Sequence, residues 1–176
     1  PHIWFDVSLW VQTIDPALAA LITVDPSHAD DYRANAEAYR TELTELDAWV
    51  ETQVSVLQSD QRVLVTAHDA FGYFGRRYGF EVVGLQGLST STEAGLRDMD
   101  RVVGVVVEHE LKAIFVESSV PPKSIEAVRT ACSEEGLEVA LGGELFSDAM
   151  GAKGTPEGTY VGMVRHNVET LVGALR

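Results

Sequence analysis

The sequence is poor in cysteine and in basic side chains, and each shortage excludes a class of protein. Cys132 is the single cysteine among 176 residues, so neither an intrachain disulfide nor a cysteine-based zinc cluster can form. Thirteen Lys and Arg stand against 27 Asp and Glu, which gives a formal net charge of −14. Such a charge repels phosphate backbones, so we expect no nucleic-acid partner, whereas cations are attracted.

Several familiar signatures are also missing. No run of consecutive apolar residues approaches the ~18 to 20 of a membrane span, so we expect no span in these residues. The glycine-rich segment 142–158 lacks the G-x-x-x-x-G-K-[ST] order of a phosphate loop, and its carboxylates would repel phosphate. Neither a Gly-x-Ser-x-Gly elbow nor a dinucleotide fingerprint after the first predicted strand is found. The chain opens on Pro1 without a signal segment, so we interpret it as part of a longer protein.

Helical patterns occupy the first third of the chain. Apolar residues recur at helical spacing over residues 3–22, and we expect a kink or break at Pro16 because proline lacks a backbone donor. Ser27 and Asp30 resemble a capping box at the start of a longer amphipathic pattern over 28–57. At 1.5 Å per residue that helix would be about 45 Å long, which suits half of a coiled coil or a strut between two lobes.

After residue 60 the pattern changes to short β-rich runs that alternate with amphipathic stretches. The predicted strands are 62–66, 81–85, 112–117 and 137–141, and the predicted helices are 69–78, 92–109, 123–135 and 158–175, with a glycine-rich loop over 142–158. Strands that alternate with helices in this way indicate right-handed βαβ units. We therefore predict an α/β fold with a four-stranded parallel sheet flanked by helices.

Polar residues follow the ends of the predicted strands. His68 follows the first strand, Glu117 ends the third, and the loop after the fourth carries Glu144 and Asp148. All carboxyl ends of a parallel sheet lie at one edge, so His68, Glu117 and Asp148 should converge there. Imidazole and carboxylate groups without thiolates suit Zn²⁺, Mn²⁺ or Fe²⁺. Taken alone, a histidine in the position of His68 is more often a hydrogen-bonded structural residue than a ligand, and His2 alone would be interpreted as structural or as part of a disordered end.

Five short motifs carry a resemblance to a known family. They are Pro-His-Ile-Trp-Phe-Asp at 1–6, Val-Thr-Ala-His-Asp-Ala-Phe-Gly-Tyr-Phe at 65–74, Ile-Phe-Val-Glu-Ser-Ser at 114–119, Gly-Gly-Glu-Leu-Phe-Ser-Asp-Ala-Met-Gly at 142–151 and Gly-Thr-Tyr at 158–160. Together they resemble the metal-binding solute receptors of ABC importers for zinc and manganese, the TroA-like branch in particular. The resemblance covers the whole chain in order.

The resemblance implies two lobes joined by one long helix, with a metal ion held between them. It divides the chain into the end of an N-terminal lobe at 1–26, the linking helix at 27–60 and a C-terminal α/β lobe at 61–176. Most of the N-terminal lobe, with one further histidine ligand, would precede Pro1. The apolar surface that this lobe would cover, including Ile3, Trp4 and Trp10, is then exposed and invites self-association.

Carried over by motif, the implied metal ligands are His2, His68 and Asp148, with Glu117 behind them to orient a ligand. A histidine at position 68 favours zinc, with manganese next and iron less expected. Because the family's other histidine would lie before Pro1, we expect weak binding, or a fourth ligand from water, a neighbouring chain or an anion.

Three functions compete at this point. The first is an extracytoplasmic receptor, periplasmic or anchored on the outer face, that delivers a divalent transition metal to a membrane permease and is not an enzyme. The second is a metal-dependent hydrolase with Glu117 as general base and a pocket for an organic substrate. The third is a response-regulator-like domain, which would need a phosphoacceptor aspartate where the first strand ends in His68.

Overall fold

The computed structural model describes residues 1–88 and 95–176 and has an α/β architecture. Its helices are α1 (Val7–Val11), α2 (Ile14–Val24), α3 (Ala29–Val54), α4 (Gly72–Tyr78), α5 (Leu96–Glu108), α6 (Lys123–Glu134) and α7 (Tyr160–Leu175), and its strands are β1 (Val63–His68), β2 (Glu81–Gln86), β3 (Ala113–Glu117) and β4 (Ala140–Leu145). Helices and strands alternate from β1 onward, as the sequence predicts. The expected start of the fourth helical segment at residue 92 lies outside the described residues.

The break in the first helical segment is not at Pro16, so that prediction was wrong. A turn at Gln12 and Thr13 separates α1 from α2, and Pro16 lies in the first turn of α2. The first backbone N–H groups of a helix have no partner within the helix, so proline removes no hydrogen bond there. By length and composition alone, the window Val7–Val24 is apolar enough to cross a membrane, with a mean hydropathy of 1.5, although its apolar residues are not consecutive.

Helix α3 is the longest helix among the described residues. Its 26 residues correspond to about 39 Å. The predicted capping box is wrong, because the Ser27 hydroxyl donates to the Asp25 carboxylate at 2.6 Å and His28 occupies the N-cap position without a side-chain cap. The inner face of α3 packs in the same apolar cluster as the N-terminal segment, α4 and α7. The two ends of the chain therefore share one core.

The four strands form two hydrogen-bonded parallel pairs, β1 with β2 and β3 with β4. β1 lies beside β3. In the described part of the chain, however, backbone hydrogen bonds join the strands only within each pair, whereas the sequence predicts one continuous four-stranded sheet. Leu64 and Phe115 point into one apolar cluster, while Val65 and Ile114 point into another. Alternation of side chains along each strand therefore builds a core on both faces of the strand layer.

β4 begins and ends later than the sequence pattern predicts. Gly142, Gly143 and Glu144 lie in the strand and not in the glycine-rich loop. Glycine is rare in strands, so the sequence pattern placed the end of β4 too early. In this strand, however, the packing requires glycine. A Cβ atom at Gly142 would lie 2.5 Å from a ring carbon of Phe115, and Gly143 has a φ of 129°.

Candidate metal centre

His68 is the last residue of β1 and is fully buried. Its backbone N–H donates to Oε1 of Glu117 at 2.8 Å, and its carbonyl accepts from the Thr66 hydroxyl at 2.8 Å. Gly84 on β2 allows this strand end to come close. A Cβ atom at Gly84 would lie 2.6 Å from the backbone nitrogen of Asp69 and 2.8 Å from the carbonyl carbon of His68. The backbone on both sides therefore determines the position of His68.

Glu117 ends β3 and lies directly behind the imidazole of His68. It is 2% exposed, and its Oε2 is 2.6 Å from Nδ1 of His68, an ion-pair distance whose geometry falls outside that of a hydrogen bond. Burial acts to lower the pKa of His68, but the attraction of Glu117, with a smaller part from Asp148, outweighs it and raises that pKa. Nε2 of His68 makes no hydrogen bond among the described residues.

His2 lies opposite this free nitrogen. It has a left-handed backbone conformation, with φ 62° and ψ 28°, and it is 5% exposed. Such a conformation is sparsely populated for residues other than glycine and costs about 1–3 kcal/mol, so the surrounding contacts must hold it. The rings of His2 and His68 are 5.4 Å apart between centroids. Burial is the main cause that lowers the pKa of His2.

Asp148 completes the cluster from the loop that follows β4. Its Oδ1 is 3.2 Å from Nε2 of His2, and its Oδ2 is 3.6 Å from Nε2 of His68. Its side chain is 40% exposed, in contrast to the two histidines. The loop is tied to the N-terminal segment because the indole N–H of Trp4 donates to the Ser147 carbonyl at 3.1 Å.

The structure thus brings together the four residues named from the sequence. One nitrogen of His2, one of His68 and one oxygen of Asp148 all lie within 4.8 Å of one another. Two imidazoles with a carboxylate form a donor set that suits Zn²⁺, Fe²⁺ or Mn²⁺. Glu144, the other acidic residue considered after the fourth strand, is exposed on β4 and does not belong to this group. The hydrogen bond from Trp4 to Ser147 was not predicted, because no sequence pattern indicates it.

An apolar cleft of about 490 Å³ adjoins Asp148, with Trp4, Trp10, Tyr39 and Tyr160 in its walls. Space beside the cluster therefore does not separate a receptor from a hydrolase. Glu117, however, does not suit the role of a general base, because both of its oxygens face His68 and its side chain is 2% exposed. A buried carboxylate in that position orients an imidazole and has no access to a water molecule that it could activate.

The family profile described as the periplasmic zinc-uptake complex component A (ZnuA) matches residues 1–174. The chain belongs to this family.

Two relatives can be aligned with nearly the whole chain. The chain is 51% identical over 176 residues to the manganese-binding lipoprotein MntA of Bacillus subtilis and 50% identical over 175 residues to the zinc-binding protein TroA of Treponema pallidum. It matches 58% and 57% of these two proteins, and therefore spans less than two thirds of their length. The solved structure of the periplasmic zinc-binding protein TroA from Treponema pallidum superposes with a TM-score of 0.97 at 50% identity, over 99% of this chain and 63% of that one.

Proposed function

We propose that this chain is part of an extracytoplasmic receptor that captures a divalent transition metal ion for an ABC importer and performs no catalysis. The observation that carries the proposal is the convergence of two buried imidazoles and one carboxylate, with Glu117 behind His68. The names of the relatives support it, since they are described as manganese-, zinc- or iron-binding proteins. None of these names supports the hydrolase alternative.

In this proposal the ion is bound by Nε2 of His2, Nε2 of His68 and the carboxylate of Asp148. The carboxylate of Glu117 lies 2.6 Å from Nδ1 of His68, and its negative charge favours the tautomer with the proton on Nδ1, which leaves Nε2 free to bind the ion and makes it a stronger donor. Zinc suits two imidazoles and one carboxylate best, and manganese is the next candidate. The two relatives near 50% identity are named for manganese and for zinc, so identity alone does not rank the two ions.

Three protein ligands leave at least one coordination position open. We propose that in the 176-residue chain this position is filled by water or an anion, and that a further histidine supplies it in a longer, two-lobed protein. The same proposal divides the chain into the end of an N-terminal lobe at 1–26, a linking helix at 27–60 and a C-terminal α/β lobe at 61–176. The chain alone should then bind zinc more weakly than a full-length two-lobed relative.

Calorimetric titration of zinc and manganese into the metal-free chain tests this function. One ion should bind per chain, and His2→Ala should weaken binding strongly, because it removes a ligand and leaves the other two. His109→Ala is a matched control, since His109 is exposed and precedes β3, the strand whose opposite end carries Glu117. If neither ion binds, or if His2→Ala and His109→Ala behave alike, the assignment is wrong. Zinc affinity equal to that of a two-lobed relative would contradict the proposed open position.

The remaining partners are a membrane permease and a second copy of this chain. We infer the permease from the family's importer role, and the second copy from exposed apolar side chains of the N-terminal segment and α2. Of the three residues predicted to be exposed, Ile3 is 37% exposed, whereas Trp4 and Trp10 are partly buried against the core; Leu21 at 50% and Val24 at 85% are exposed on α2. We expect sedimentation to show reversible self-association that weakens when Leu21 and Val24 are replaced by Ser. A strict monomer at high concentration would rule out the second copy.

A further inference from the structure

We propose that Asn167 is a positioning residue that holds the loop carrying Asp148 in the geometry needed for metal binding. The inference rests on the proposed function and deepens it, because it says what determines the position of the exposed ligand. Asn167 lies on α7, is 3% exposed and does not reach the three ligand residues itself.

Both polar atoms of the Asn167 side chain bind one residue of the loop. Oδ1 accepts from the backbone N–H of Phe146 at 2.9 Å, and Nδ2 donates to the Phe146 carbonyl at 2.8 Å. This pair of bonds is the one a neighbouring strand would make. The last ladder contact of β4 is the Leu145 carbonyl, which accepts from the N–H of Ser118 at 2.9 Å. Asn167 therefore continues the pairing by one residue beyond the end of the strand.

The next residue of the loop has two further contacts. Ser147 accepts from the indole of Trp4 through its carbonyl and shares a 2.6 Å hydrogen bond between hydroxyls with Ser119. Within the described residues, the carboxylate of Asp148 makes ion-pair contacts with the two imidazoles. The backbone that brings Asp148 to these imidazoles is held by the hydrogen bonds of the two residues before it.

The surroundings of Asn167 are apolar, so the amide stands out among its neighbours on α7. Its neighbours on the inner face of α7 include Met163, Val168 and Leu171, which are all buried and apolar. An apolar side chain would fill that space, but it would leave the N–H and the carbonyl of Phe146 without these partners, at a cost of about 1–3 kcal/mol for each group that is buried. What an apolar side chain cannot do is hold the peptide groups of Phe146.

Asn167→Ala tests this inference, with Val168→Ala as the matched control from the next position on the same helix. Asn167→Ala should weaken zinc and manganese binding about 10-fold, which is at the lower end for residues that orient metal ligands. Val168→Ala removes buried apolar atoms and should lower the melting temperature of the metal-free chain at least as much, with unchanged affinity. Asn167→Leu fills the space without the hydrogen bonds and should reproduce the loss of affinity.

A double-mutant cycle with Asp148→Ala shows whether Asn167 acts through that ligand. In the Asp148→Ala background, Asn167→Ala should produce no further loss, because there is no carboxylate left to position. Full additivity, or unchanged affinity in both Asn167 variants, would overturn the inference.

Hydrogen exchange of the Phe146 amide in the metal-free chain gives a readout that needs no metal. It should be faster in Asn167→Ala and Asn167→Leu than in wild type or Val168→Ala, and equal rates would overturn the positioning role. If the wild-type chain binds neither ion, the proposed function fails, and this exchange measurement alone decides whether Asn167 holds the loop.

Discussion

The end of β1 and the loop after β4 each bring one side chain to the same cluster, but they do so in different ways. His68 ends a strand that is buried at every residue, and Glu117 contacts both its backbone and its ring. Asp148 lies on irregular backbone, is 40% exposed and is held through its neighbours Phe146 and Ser147. His68 is therefore part of the buried core, whereas Asp148 lies on a loop that is only tied to the core by hydrogen bonds. Stability and metal affinity should respond differently to changes in the two regions.

The largest expected effect comes from removing each ligand in turn. His68→Ala and Asp148→Ala should both weaken zinc binding by more than the roughly 10–100-fold typical of residues behind the ligands. His68→Ala should in addition lower the free energy of unfolding of the metal-free chain by about 2–4 kcal/mol, because it leaves a cavity and an unpaired buried carboxylate. Asp148→Ala should change that free energy by less than about 0.5 kcal/mol.

Chemical denaturation and calorimetric titration of the same two variants give both quantities. Equal losses of stability would show that the loop is as much a part of the core as the strand, and the comparison would fail.

A smaller effect is expected from Glu117→Gln, which keeps an acceptor for the N–H of His68 and removes the charge. Zinc affinity at alkaline pH should fall about 10-fold. An imidazole must lose its proton to bind metal, so wild-type affinity weakens as the pH falls through the raised pKa of His68. Without the carboxylate that pKa falls, and the acid midpoint of binding should move to lower pH. Glu144→Gln is the control, because it makes the same change of charge at an exposed position of β4 outside the cluster.

The same pair predicts a pH dependence of stability in the metal-free chain. A pKa of His68 raised above its ordinary value of 6.5 stabilises the folded state below about pH 6.5, and this contribution is lost as the pH rises through the raised value. Glu117→Gln should therefore remove more stability in acid than in alkali, as measured by denaturation at several pH values. A pH-independent difference from wild type would contradict the assigned contact.

The smallest effect on zinc binding is expected at the close approach of β2 to the end of β1. Gly84→Ala would place a Cβ atom 2.6 Å from the backbone of Asp69, so the strands must separate. We expect a loss of about 1–3 kcal/mol in the free energy of unfolding, together with weaker zinc binding as His68 shifts. Gly87→Ala is the matched control, because no described atom lies within 4 Å of its Cβ position. Equal stability of the two variants would show that the strand end is less rigid than we describe.

Periodicity predicted most of the fold, and its errors have local physical causes. Pro16 looked like a break because sequence alone does not show that it lies in the first turn of a helix. Gly142 and Gly143 looked like a loop because the need for space beside Phe115 is visible only once β3 and β4 are paired. The division of the sheet into two pairs also depends on the twist and spacing of strands, which hydropathy does not encode.

The sequence by itself determined the alternation of strands and helices and placed His68 and Glu117 at one edge, because parallel strands all end on the same side. It did not determine how His2 and Asp148 meet them. Trp4 and Ser147 are 143 residues apart, and their hydrogen bond exists only because both ends of the chain pack in one core. Contacts over such separations depend on the packing of the whole chain, and for that reason the tertiary structure alone decided the geometry of the cluster.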